Sequence, residues 1–328
     1  MTTESIKERI INLVQGDLDD IETALEANLT PHLDLVRDAA RHILFAGGKR
    51  LRPLLMVICA RLCGETSKKI KRFSVMVEYL HAATLLHDDL VDQAMLRRGK
   101  TAAYRVFGNE TAVLTGDFLL ARALSLAADT ELISVIRIVS DITEQMSQGE
   151  IEQLHNIDRV DLTESEYLEV IRRKTAVLIQ GACQVGALVA GADKADVQAL
   201  KTFGANLGLA FQMADDLLDY TAETDSLGKT VGADLKDGKL TLPVIAALKN
   251  APSDKRAWMI DTIKSRSESA ATFTRFKSLL ATYGGISYTR DKAGAYVLAA
   301  KAALSQFGPG REKKLLEDIA DYSLARRI

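Results

Sequence analysis

Two short acidic patterns hold the most specific chemistry in this sequence, DDLVD at 88–92 and DDLLD at 215–219. In a helix, positions i, i+1 and i+4 fall within an arc of about 100°. Asp88, Asp89 and Asp92 therefore share one face, and Asp215, Asp216 and Asp219 share another. Carboxylates crowded in this way repel, and the arrangement is tolerable only where they are solvated, protonated or bound to cations. A lone acid-rich helix is more often a solvated face. Here the flanks are apolar in both cases, LLHDDLVD and FQMADDLLDY, so each trio belongs to a helix that is otherwise buried. Aspartate oxygens suit magnesium, which keeps several waters and bridges a few carboxylates to phosphate oxygens. Two such clusters facing each other could hold a diphosphate through shared ions.

A metal-bound diphosphate also needs fixed positive charge. The sequence supplies it as Lys49, Arg50 and Arg52 in GGKRLRP, Arg97 and Arg98 in LRRGK, Lys174 in RRKTA, and Lys229 and Lys239 in a polar stretch after Tyr220. Arginine offers a planar fork for phosphate oxygens and lysine a compact charge, although each taken singly is more often a surface cation. Gly47 and Gly48 let backbone approach a ligand, or simply form a loop.

These residues need rigid elements to position them. Helix-period apolar spacing predicts helices near 6–26, 35–45, 54–62, 70–90, 113–128, 132–154, 164–189 and 197–220, with no alternating strand pattern. The five prolines (31, 53, 243, 252 and 309) fall where helices should begin or connect, and Thr163 with Glu166 reads as a capping box. The stretch 221–239 is long for a loop in a compact bundle, which marks it as functional or disordered. With no dividing linker, the 328 residues are read as one large helical domain.

Bulk properties exclude several classes. Charge is nearly balanced, 42 basic against 44 acidic side chains, so no global field favours nucleic acid. Cys59, Cys63 and Cys183 are odd in number and lie in apolar helical surroundings, as expected of reduced thiols in a cytosolic protein. The start MTTESIKERI lacks a secretory pattern. The charge-free stretch 176–192 contains Gln180, Gln184 and glycines and is read as a buried core helix, leaving no transmembrane segment.

With these motifs in hand, the chain resembles the trans-isoprenyl diphosphate synthases, the family of farnesyl, geranylgeranyl and longer polyprenyl diphosphate synthases. GGKRLRP, HDDLVD, LRRG, RRKTA, FQMADDLLDY and a downstream GK occur in the family's order; only QAM at 93–95 is less typical. The resemblance implies an all-α bundle around a central active-site cavity, a homodimer, and magnesium, three ions per site, held by both aspartate motifs. It implies that Arg97, Lys174, Lys229 and Lys239 contact the allylic diphosphate. Lys49, Arg52, His81 and Arg98 would bind isopentenyl diphosphate, and Thr175, Phe211 and Gln212 would line the reacting region. The implied reaction ionises the allylic carbon–oxygen bond, adds the isopentenyl double bond to the cation and loses a proton, with the released diphosphate as acceptor. His87 adjoins the aspartates but points elsewhere, and a structural role is expected.

If Asp88 marks the diphosphate, the growing chain should run past Ala83 and Thr84, then Leu80 and Val77. Family members that stop early resemble one another in carrying aromatic residues at this level. The small pair Ala83 and Thr84 therefore suggests a long product, octaprenyl to decaprenyl, destined for quinone side chains. A shorter-chain synthase is the nearest alternative. A class I terpene cyclase would have no second diphosphate for GGKRLRP to bind, a phosphohydrolase built on His87 would need further helical histidines, and a non-catalytic synthase subunit would be expected to lose an acidic motif.

Overall fold

The computed structural model describes residues 3–221, 232–266 and 269–325, and these are almost entirely helical. In chain order the helices are α1 (Thr3–Asn28), α2 (Asp34–Leu44), α3 (Leu51–Leu62), α4 (Lys69–Val91), α5 (Ala103–Phe107), α6 (Asn109–Ala128), α7 (Ile133–His155) and α8 (Glu164–Ile171). A π-helical turn, Arg172–Ala176, leads into α9 (Val177–Val189) and α10 (Lys194–Thr221). The remainder comprises α11 (Ala233–Lys236), α12 (Leu242–Asn250), α13 (Ser253–Ser265), α14 (Ala270–Thr282), α15 (Gly285–Ala303) and α16 (Arg311–Ala325). Leu96–Arg97 and Lys100–Thr101 form a small antiparallel hairpin that strand periodicity could not reveal.

Local chemistry sets several boundaries. The Thr163 hydroxyl accepts from the Glu166 N–H while the Glu166 side chain accepts from the Thr163 N–H, closing the expected capping box on α8. Pro53 and Pro243 lie in the first turns of α3 and α12, where a missing N–H costs nothing, and Pro252 precedes α13.

Helix α4 packs against α1, α3, α6 and α9, and α10 packs against α9 and α15. Val77, Tyr79, Leu80, Ala83 and Leu86 of α4 join one core cluster with Val57, Leu119, Ile179 and Phe203. A second cluster gathers Tyr167, Met213, Tyr220, Leu242 and Phe276. At roughly 1.5–3 kcal/mol per large apolar side chain, burial of this extent holds the long helices in place. Against that apolar background the buried acids Glu78, Asp89 and Asp216 stand out, because charged side chains are rarely buried without partners.

The stretch 176–192 forms the largely buried α9, as read from its composition. Among the described residues, the helix long and apolar enough to cross a membrane is instead α6, of whose most apolar window 39% is buried.

Candidate active site

The first acidic trio ends α4, with Asp88 and Asp89 in the last turn and Asp92 as the cap. Asp89 is 1% exposed, and one of its oxygens, Oδ1, accepts from Arg97 Nε at 2.8 Å and also from Arg97 Nη2. Its other oxygen, Oδ2, is buried with no hydrogen-bond partner. Burial, then the nearby carboxylates Glu150 and Asp92, push Asp88 up to about 7, with Lys174 opposing.

The second trio lies in the last turns of α10. Asp216 accepts from the Tyr167 hydroxyl at 2.5 Å and from Gln212 Nε2 at 2.8 Å, and Gln212 Oε1 in turn accepts from Thr175 Oγ1 at 2.8 Å. Burial raises the Asp216 carboxyl, its two hydrogen bonds oppose, and the neighbouring Asp215 and Asp219 add to the rise. Asp219 accepts backbone N–H groups of Gly232, Ala233 and Asp234 at 3.1–3.2 Å, which fastens the start of α11 to the end of α10.

Lysines join the two trios. Lys239 lies 3.7 Å from Asp92 of the first and close enough to Asp234, beside Asp216 and Asp219, for their charges to interact. Lys174 donates to Gln153 at 2.6 Å, pairs with Glu150 at 2.5 Å and acts electrostatically on Asp88. Lys174, Thr175, Gln212, Asp216, Asp234 and Lys239 line one cleft. Lys229 falls outside the described residues.

A second basic cluster surrounds His81. Burial, then Arg52, Arg98 and Arg97, hold its imidazole well below the usual range, so it is neutral at pH 7. Arg52 feels the charges of Glu78 and Asp215, and its Nε is buried without a partner. Arg98 donates to the Gly47 carbonyl. Lys49 does not join this group: its ammonium lies over the Tyr322 ring, 5.5 Å from the centroid. Arg50, the remaining cation of GGKRLRP, is buried and donates to Glu22, Glu78 and the Leu44 carbonyl, so it ties α1, α2 and α4 together. Arg50 and Arg98 both adopt left-handed backbone, at φ 47° and 51°. For such residues this costs about 1–2 kcal/mol each.

His87 meets the Val113 carbonyl at 3.1 Å and so has the structural surroundings expected of it. Ala83, Leu80 and Val77 are buried on α4, and the Thr84 hydroxyl donates to the His81 carbonyl at 2.9 Å. Phe211 packs against the larger core cluster.

The polyprenyl synthetase family matches residues 33–280. The chain belongs to that family. It is 34% identical over 319 residues to the octaprenyl diphosphate synthase of Haemophilus influenzae, a match covering 97% of each chain. The polyprenyl synthase of Caulobacter crescentus, solved with calcium and isoprenyl diphosphate, superimposes with a TM-score of 0.92 at 38% identity, covering 98% of both chains. The decaprenyl diphosphate synthase of Rhodobacter capsulatus gives 0.91 at 35% identity, covering 97% of this chain and 98% of that one. This polyprenyl synthetase is thus a prenyltransferase with the all-α isoprenoid synthase fold.

The donor set of the prenyltransferase fits a hard divalent cation. Among the described residues, no group of three or more acidic, histidine or cysteine side chains closes a metal cage. Magnesium does not need one, because it is commonly held by one or two carboxylates plus substrate phosphate oxygens. The unpartnered Asp89 Oδ2 and the crowded carboxylates around Asp88 and Asp216 present the oxygens and uncompensated charge such an ion would take.

Several contributors were not singled out from sequence. Glu150 and Gln153 are one turn apart on α7 and reach Lys174, a spacing visible in QGEIEQ but not specific by itself. Tyr167 is 49 positions from Asp216, and Glu78 is 28 from Arg50, so no local pattern announces either pair.

Proposed function

We propose that this polyprenyl synthetase extends an allylic diphosphate with successive isopentenyl diphosphate units to a long all-trans polyprenyl diphosphate, octaprenyl to decaprenyl, for quinone side chains. The observation that carries this reading is Lys239, which lies 3.7 Å from Asp92 of the first trio, interacts with Asp234 beside Asp216 and Asp219 of the second, and lines one cleft with Asp216. Asp88, Asp89, Asp92, Asp215, Asp216 and Asp219 would hold magnesium, three ions in the family pattern, and the metal would neutralise charge on the departing diphosphate. Lys174 and Lys239, with Arg97 and Lys229, bind and orient that diphosphate.

Arg52, Arg98 and neutral His81 bind the isopentenyl diphosphate on the other side, and Lys49 joins them by leaving Tyr322. On the allylic side, the pre-set cations Lys174, Lys239 and Arg97 stabilise the leaving group as the carbon–oxygen bond ionises, without reorganisation at that moment. Thr175 and Gln212, held in a hydrogen-bonded line to Asp216, face the reacting carbons, with Phe211 one position before Gln212. No side chain acts as nucleophile, and the released diphosphate takes the proton.

Small side chains at Ala83 and Thr84, one turn before Asp88, support a long product over a farnesyl or geranylgeranyl one. Leu114 and Leu124 leave an apolar face of α6 exposed, which supports pairing of two copies. We read residues 1–328 as one cytoplasmic prenyltransferase domain.

Incubating the purified protein with farnesyl diphosphate, labelled isopentenyl diphosphate and magnesium, then sizing the products, tests the proposal. Products of eight to ten isoprene units are expected; termination at three or four units would replace it with the shorter-chain reading.

A further inference from the structure

The π-helical turn Arg172–Ala176 carries Lys174 and Thr175, and it is gripped from two sides. A Cβ added to Gly149 of α7 would lie 2.7 Å from the backbone N of Lys174 and 2.8 Å from Arg173 Cβ. On Gly208 of α10 it would lie 2.5 Å from Ala176 Cα and 2.8 Å from Ala176 Cβ. The atoms met are backbone and Cβ atoms, which cannot rotate aside as a side-chain tip can. Glycine within a helix is otherwise less stable than alanine. Wide turns of this kind are rare and are frequently found at functional sites.

We infer that Gly149 and Gly208 are positioning residues that let α7 and α10 close on the wide turn and fix the register in which Lys174 meets Glu150 and Gln153 while Thr175 meets Gln212. The contacts support this division: among the described residues, Lys174 is hydrogen-bonded and ion-paired to the α7 side chains Gln153 and Glu150 at 2.5–2.6 Å, and Thr175 reaches α10 at 2.8 Å. A methyl group at either glycine pushes the turn toward the opposite wall and moves both side chains together. The inference rests on the assignment of Lys174 to the allylic diphosphate.

Gly149→Ala and Gly208→Ala, with Gly16→Ala as a control at a helical glycine that has no atom within 4 Å of an added Cβ, separate register from folding. A displacement near 1 Å is worth on the order of 100-fold in rate, so kcat should fall by about tenfold or more and the allylic KM should rise, with the isopentenyl KM unchanged. Gly16→Ala should behave as wild type. Wild-type kinetics in both glycine variants, or equal changes in both KM values, would overturn the inference. So would loss of cooperative unfolding in both, because the glycines would then serve the fold and not the register. Lys174→Ala, measured alongside, distinguishes a failed site assignment, in which its allylic KM is unchanged, from failure of the clamp alone.

Discussion

Lys239 Nζ stands 3.7 Å from Asp92 Oδ2 and 3.1 Å from Asp237 Oδ2, so a residue that follows the second acidic motif is ion-paired to the first. Burial works against its charge, but Asp92 and Asp237 outweigh burial and the ammonium stays protonated well above neutral pH. An interaction to a charged group is worth about 1.5–3 kcal/mol, and 1.4 kcal/mol is tenfold, so Lys239→Ala should raise the allylic KM by roughly ten- to a hundredfold. Steady-state kinetics with isopentenyl diphosphate saturating reads this directly. A change confined to the isopentenyl KM would remove Lys239 from the allylic side.

Tyr167 supports Asp216 through one hydrogen bond and is not itself placed on a substrate. Removing an outer partner of a metal-binding carboxylate commonly costs 10–100-fold in metal affinity. Tyr167→Phe should therefore raise the magnesium concentration for half-maximal activity by about tenfold, with both substrate KM values preserved at saturating metal. An unaltered magnesium curve would show that this hydroxyl serves packing alone.

Chain length offers a steric test. Ala83 is 4% exposed on α4, so a phenyl ring there must either enter a product tunnel or overpack the core at about 1–3 kcal/mol. Ala83→Phe should shorten the products while unfolding cooperatively. A folded variant with an unchanged product distribution would place the tunnel elsewhere.

How much of this was legible depended on the range of the interactions. Long apolar patterns specified α7 and α10, which each bury one face along their length, and α4, which is buried on nearly all sides between 73 and 80, and the repeated DDxxD pattern marked the ends of α4 and α10 where charge interrupts the apolar run. The π turn was hidden inside a continuous helical pattern from 164 to 189, since a single wide turn leaves the apolar spacing on either side of it helical. Arg50 looked like one more phosphate cation, and only the approach of Glu22 and Glu78 from other helices shows that it is a strut. Lys49 is displaced onto Tyr322 because the C-terminal helix α16 packs beside α3, a contact between residues 273 positions apart that no motif spacing could convey.

The capping box on α8 predicts an acid limb in stability. Backbone and side-chain hydrogen bonds from Thr163, then Arg159, hold Glu166 down to about 2 from an ordinary 4.5. A group with a depressed folded value contributes stability fully above its unfolded value and loses it as pH falls toward the folded one. The stability difference between wild type and Glu166→Gln should thus be constant above about pH 5 and shrink between 4.5 and about 2, as read by urea unfolding. A difference that grows on acidification would contradict the sign.

Binding of a non-ionisable allylic analogue, farnesyl thiodiphosphate, to wild type, Asp89→Ala and Asp216→Ala, with magnesium and then with chelator, tests most directly whether the two trios clasp one diphosphate through shared ions. Tight binding by wild type only in magnesium, with each single substitution abolishing the metal-dependent gain, is the predicted result. Equal affinity in chelator, or either variant binding like wild type, would contradict it.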